Sequence, residues 1–176
     1  MANIDVTNNR KANQSVNNEV GRGWTHVGTV KFSDFVANPS AADSDTLTFP
    51  IAAIPQYSIV ESVGFRLVTP FNDDAGGTSL TLQLGDTDDA DGFVTAASAQ
   101  LHLDGTEVFV AANTGAYFTG TDSGTQTTVN VIKGKTYTTA NTLEALFTPS
   151  GYKLDECTAG EVKIFARIVE TALLVA

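Results

Sequence analysis

A single cysteine, Cys157, leaves this chain without an internal disulfide or a cysteine-ligated zinc site. Bases are scarce as well: ten Lys and Arg stand against twenty Asp and Glu, for a net charge of −10. A sequence-independent grip on DNA or RNA needs a dense row of cations against phosphate, so nucleic acid is not expected as a partner. Long apolar runs are missing. Stretches such as 51–54 and 172–176 are far short of the roughly 20 residues that span a bilayer, so no membrane partner is expected. The start carries no basic stretch followed by an apolar one. The expectation is therefore a protein made and kept in a cytoplasm, and the sequon Asn13-Gln14-Ser15 carries no weight.

Catalytic equipment is equally thin. His26 and His102 are the only histidines, with no His-x-x-x-His pair and no cysteine partner. There is no Gly-x-Ser-x-Gly turn to present a serine nucleophile. Gly134-Lys135-Thr136 has the ending of a phosphate-binding loop, but the first glycine of that motif would fall on Val129 and no helix follows; the segment reads as a hairpin turn. The chain is expected to be no enzyme and to need no cofactor. One acidic cluster remains, Asp86, Asp88, Asp89 and Asp91, running into Gly92. Such oxygens suit Ca²⁺, yet with Gly92 at the sixth place of a calcium loop the twelfth is Ser98, not Glu. The cluster is a weak metal candidate and reads better as a solvated turn.

What is present is β structure. The chain has 176 residues, 42% of them apolar and only 17% charged, with 15 glycines and abundant threonine, a composition of short strands and many turns. Strand patterns lie at residues 24–32, at 46–51, and at 57–67 with a bulge near Glu61 and Ser62. The alternation of Leu80, Leu82 and Leu84 with Ser79, Thr81 and Gln83 marks another. Pro50 marks either an edge strand or the strand's end. Further strands are expected at 107–110, 127–132, 142–148 and 161–170, and the one candidate for a helix is 93–101, where Phe93, Ala97 and Leu101 stand four apart. About eight strands with polar turns predict an all-β chain, a jelly-roll-like antiparallel β-sandwich.

Residues 1–22 differ from the rest. They are rich in asparagine, keep neither a 2.0 nor a 3.6 period, and carry a net charge of +1, against −11 for the remainder. Two segments follow: an extended N-terminal arm over 1–22 and a β-sandwich domain over 23–176. Fully extended, the arm could reach about 70 Å.

The succession from Leu47-Thr48-Phe49-Pro50 through Ile59-Val60-Glu61-Ser62-Val63, Thr69-Pro70-Phe71 and Leu80-Thr81-Leu82-Gln83-Leu84-Gly85 to Asp89-Ala90-Asp91-Gly92-Phe93 and Thr158-Ala159-Gly160-Glu161-Val162 resembles small structural proteins of tailed bacteriophages, of the capsid decoration or cement type. The resemblance covers about the last three quarters of the chain. It implies a non-catalytic virion protein, synthesised in the host cytoplasm, that binds the outside of the capsid lattice through the major capsid protein and stabilises it, as a homodimer or homotrimer. On that reading Ile4, Val6, Arg10, Lys11 and Arg22 of the arm make partner contacts and Trp24 anchors its root; Leu173-Leu174-Val175 is either a second contact segment or the end of the last strand. The alternative is a tail or head-fibre component that binds a host receptor or glycan.

Overall fold

The computed structural model describes residues 23–73, 79–97, 109–110, 114–119 and 134–170. Nine strands form two antiparallel sheets. They are β1 (His26–Lys31), β2 (Leu47–Ile54), β3 (Ser58–Asp73), β4 (Ser79–Asp86), β5 (Val94–Ala97), β6 (Phe109–Val110), β7 (Lys135–Tyr137), β8 (Asn141–Ser150) and β9 (Cys157–Glu170). Two short helices, α1 (Phe32–Val36) and α2 (Ala116–Thr119), and a 3₁₀ turn at Leu154–Glu156 complete the described part.

One sheet runs β1-β9-β3-β6, with β7 also on β3; the other runs β2-β8-β4-β5. β6 pairs with Phe65 and Arg66, and β7 with residues 58–60, so these two short strands share one edge of β3 in succession. Each sheet thus has four strand positions. The first strand lies beside the last, and the second beside the last but one, which is the order of a jelly roll. The predicted fold class is the observed one.

The alternation that marks each strand also sets its inward face. Leu80, Leu82 and Leu84 of β4, Leu143, Ala145 and Phe147 of β8, and Val162, Ile164 and Ala166 of β9 are buried between the sheets. The bulge in β3 is present, between Val60 and Ser62, and it shifts the inward face by one residue. Val60 therefore points inward with Val63, Phe65 and Leu67, while Ile59 is only partly buried and Tyr57 is 53% exposed. Pro50 lies, as expected, in an edge strand, β2, whose register shifts between Pro50 and Ala52.

Two expectations fail. The stretch expected to open a helix at 93 instead contains β5, because Phe93 N–H donates to the Leu84 carbonyl (3.0 Å) and the chain returns along β4 as a hairpin. The second is Gly134-Lys135-Thr136, which is no hairpin turn. Gly134 has φ +129 and leads into β7, and β7 and β8 belong to different sheets, so the turn after Tyr137 is a crossover. The strand expected at 127–132 lies outside the described residues. Helix α1, absent from the sequence reading, is one turn held by Asp34, whose carboxylate accepts from the Lys31 N–H at 2.8 Å.

Phe35 of α1 enters the core between the sheets, 5.1–5.6 Å in ring-centroid distance from Phe49, Phe71 and Phe147. These rings close one end of the sandwich. The acidic turn between β4 and β5 lies at the other.

Candidate functional site

Asp86 is the last residue of β4, directly after the leucine alternation, and its side chain has no exposed surface. The turn that follows is wound around it. Its N–H donates to the Asp89 carbonyl (2.9 Å), while its Oδ1 accepts the N–H groups of Asp88 (2.9 Å) and Asp89 (3.0 Å). This is an Asx-type turn, the local reason for aspartate at this position. Gly85 is required beside it, because a Cβ there would collide with the backbone of Asp89 and Ala90.

Three side chains from distant segments complete the cluster. Lys135 of β7 places its Nζ 2.7 Å from Asp86 Oδ2 and 3.2 Å from Asp88 Oδ2. Tyr137 donates its hydroxyl to Asp86 Oδ2, and Tyr117 of α2 donates to Oδ1 at 3.1 Å. Lys135 also donates to the Tyr117 hydroxyl at 2.7 Å. One carboxylate thus accepts five hydrogen bonds, two from backbone and three from side chains. Tyr117 is seated against Gly92, where its ring leaves no room for a Cβ, and edge-on to Phe93 with centroids 5.0 Å apart. Asn141, the first residue of β8, joins the rim by donating to Asp88 (3.3 Å) and accepting from the Thr87 hydroxyl (2.8 Å).

Burial alone would push the Asp86 carboxyl up. The hydrogen bonds from Lys135 and Tyr137 and the Lys135 charge outweigh it and hold the group below the ordinary carboxylate range. Lys135 moves the opposite way: burial lowers it, but Asp86 and Tyr117 raise it well above a free lysine. Both tyrosines are raised, by burial first, then by Asp86. The site therefore holds one ion pair and two neutral phenols across the neutral range.

That arrangement has a mechanical consequence. Asp86 belongs to the β2-β8-β4-β5 sheet and Lys135 and Tyr137 to the other, so the cluster ties the two sheets together. The turn is not the solvated loop read from the sequence, because its first aspartate is interior. Asp88 is 68% exposed, and Asp89 is raised by burial and by hydrogen bonding to Asp91. As a metal site the four aspartates do not converge: among the described residues no group of three His, Cys, Asp or Glu side chains is placed to hold an ion. Sequence reasoning missed Lys135, Tyr117 and Tyr137. They lie 31 to 51 residues from Asp86, and no spacing motif links them.

Of the residues expected to contact a partner, Ile4, Val6, Arg10, Lys11 and Arg22 lie outside the described residues, as do His102 and Leu173-Leu174-Val175. Trp24 is described. Its ring sits on the outer face of the β1-β9-β3 sheet, 5.8 Å from Phe165. The backbone turns there because Thr25 is bound to the sheet: its N–H donates to the Ala166 carbonyl and its hydroxyl accepts the Ile168 N–H at 2.8 Å. His26, partly buried next door, is held below the ordinary imidazole value by burial, against the pull of Glu170.

No family model and no curated protein matches the chain. A solved structure, described as a cyanophage Pam1 capsid asymmetric unit, is similar with a TM-score of 0.49 and 17% identity, over 80% of this chain and 79% of that one. A likeness of that extent does not bear on function.

Proposed function

We propose that this chain is a non-catalytic structural protein of a bacteriophage virion, one that attaches to the outside of the capsid lattice and stabilises it. The observation that carries the reading is the jelly roll with a fixed root at Trp24. The sandwich is stiffened at both ends, and the 22 residues before Gly23 begin from a point pinned to the sheet by Thr25 and Trp24. The resemblance noted for residues 47–170 supports the same reading.

A protein that binds only the assembled lattice stabilises it by mass action and needs no chemistry. Residues 1–22 act as the arm, since an extended segment can add a strand to an exposed sheet edge. Ile4, Val6, Arg10, Lys11 and Arg22 make the contacts, with the major capsid protein as partner. Self-association as a homodimer or homotrimer places identical patches over the symmetry axes of the lattice. The protein is made in the host cytoplasm and resides on the virion surface.

The reading is tested by counting copies per purified virion, by quantitative mass spectrometry against the major capsid protein. A ratio of one, or a simple fraction of it, is expected. A handful of copies per particle would move the chain to the tail or portal. Removal of residues 1–22 is expected to leave a folded sandwich that no longer attaches to particles.

A further inference from the structure

The two outer faces of the sandwich differ in charge. Register aligns Thr29, Lys163 and Arg66 on one rung of the β1-β9-β3 sheet, with Val27, Phe165 and Gly64 on the next and Arg167 beside Ser62 beyond it. Lys31 and Glu161 end the row. Seven bases lie outside residues 1–22, namely Lys31, Arg66, Lys133, Lys135, Lys153, Lys163 and Arg167, and four of these seven stand on this one face. Two of the four are paired with acids on the same face, Lys31 with Glu161 at 3.5 Å and Arg167 with Glu61 at 2.7 Å. Lys163 makes no ion pair among the described residues and sits directly across from Arg66, a like-charged pairing that weakens a sheet. The outer face of the other sheet presents Thr48, Gln83, Thr81, Thr142, Thr148 and Glu144. It carries no base.

The root of the N-terminal segment lies on the same basic face. Trp24 covers Phe165, and Gly23 lies beside the Arg167 guanidinium, where an added Cβ would be 3.6 Å from Nη1. Arg10, Lys11 and Arg22 are therefore tethered to it, so seven of the ten bases belong either to this face or to the segment rooted there.

We propose that the outer face of the β1-β9-β3 sheet is the docking surface, and that its partner is a carboxylate-bearing protein surface on the assembled shell; the proposal rests on the attachment reading above and names the face that it uses. A molecule of charge −10 is repelled by an acidic partner in most orientations. The face that carries Lys163 and Arg66 is the one that leads. Charge segregation then sets orientation and rate of docking, while Trp24 and residues 1–22 supply the grip. A polyphosphate is the poorer fit, because Glu61 and Glu161 interrupt the basic row and the net charge opposes it.

The test uses purified full-length chain and particles that lack it, with bound and free protein separated by sedimentation at several salt concentrations. Wild type is expected to bind, more weakly as salt rises. Lys163→Glu should bind about tenfold more weakly, and Lys163→Gln about threefold. A double variant of the other face, Thr48→Glu with Gln83→Glu, changes the charge by the same two units and should bind as wild type. Melting curves confirm that each variant is folded. If wild type does not bind, the attachment reading falls and takes this proposal with it. If wild type binds and Lys163→Glu binds equally well, the proposal alone falls. It is likewise overturned if Lys163→Glu alters the solution mass of the free protein without weakening particle binding, which would make the face a contact between copies. Lys163-dependent binding of a short DNA duplex would overturn it too.

Discussion

The sandwich is closed in two different ways at its two ends. At one, Phe35 of α1 packs against Phe49, Phe71 and Phe147, four fully apolar rings from three strands and a helix. At the other, Asp86 gathers Lys135, Tyr117, Tyr137 and two backbone N–H groups. The topological task is the same, to cover the gap between sheets where strands end. The physics is not. Ring packing is non-directional and accepts another apolar shape with modest loss. A buried carboxylate accepts no substitute, because its five donors are already desolvated and would be left unsatisfied. The aromatic end supplies cohesion; the ionic end fixes which segment lies against which.

The sharpest way to break this comparison is to remove one group from each end. Asp86→Ala should destabilise the fold by about 4 kcal/mol, since it strands a largely buried Lys135, and Phe147→Ala should cost about as much through its cavity. Urea unfolding of the two would read out similar midpoint losses. Conservative changes then separate the ends: Asp86→Asn should still cost about 3 kcal/mol, against about 1 kcal/mol for Phe147→Leu. Equal costs would show that the ionic end is ordinary packing.

Next in size is Tyr137→Phe, which deletes one hydrogen bond to an ionised group and should cost about 2 kcal/mol by the same measurement.

A smaller effect is expected from pH. The folded Asp86 carboxyl lies below its unfolded value, so the unfolded chain takes up a proton first as pH falls. Its contribution is complete above about pH 4 and is lost as acid carries the folded group through its depressed value. Lys135, Tyr117 and Tyr137 are raised, so their contribution is complete below about pH 10 and is lost as pH climbs through their raised values. Melting temperatures of wild type and Asp86→Asn, followed from neutral pH downwards, should converge in acid.

The smallest effect is none at all. EDTA should leave the melting temperature unchanged, because both oxygens of Asp86 are already engaged by protein donors. A fall of several degrees would restore the calcium reading of this turn.

The same contrast explains what could be read from the residues alone. The leucines of β4, the bulge at Glu61 and the edge position of Pro50 were legible because a period of two, and its interruption, is written locally. The aromatic end was legible only in part, since Phe49 and Phe147 fall within expected strands while Phe35 belongs to a helix absent from the sequence reading. β5 was misread because Phe93, Ala97 and Leu101 fall at helical spacing, while the hairpin that claims the segment is decided by Leu84, nine residues earlier. Lys135 was read as part of a turn, since nothing near it announces a carboxylate 49 residues away. Pairings made in space leave no mark in spacing. The expected partner residues of the arm lie outside the described residues, apart from Trp24, which precedes β1 and lays its ring on the outer face against Phe165.

The central position of β9 between β1 and β3 has a consequence for biosynthesis. During translation β1 and β3 emerge early, and each carries an edge that only residues 157–170 can pair. The ribosome releases those residues last among the described strands, so the joining of β1 to β3 through β9 waits until residue 170 has emerged. A truncated product would display two open edges and no seat for Trp24. Only a chain translated past β9 can build the face on which Trp24 rests.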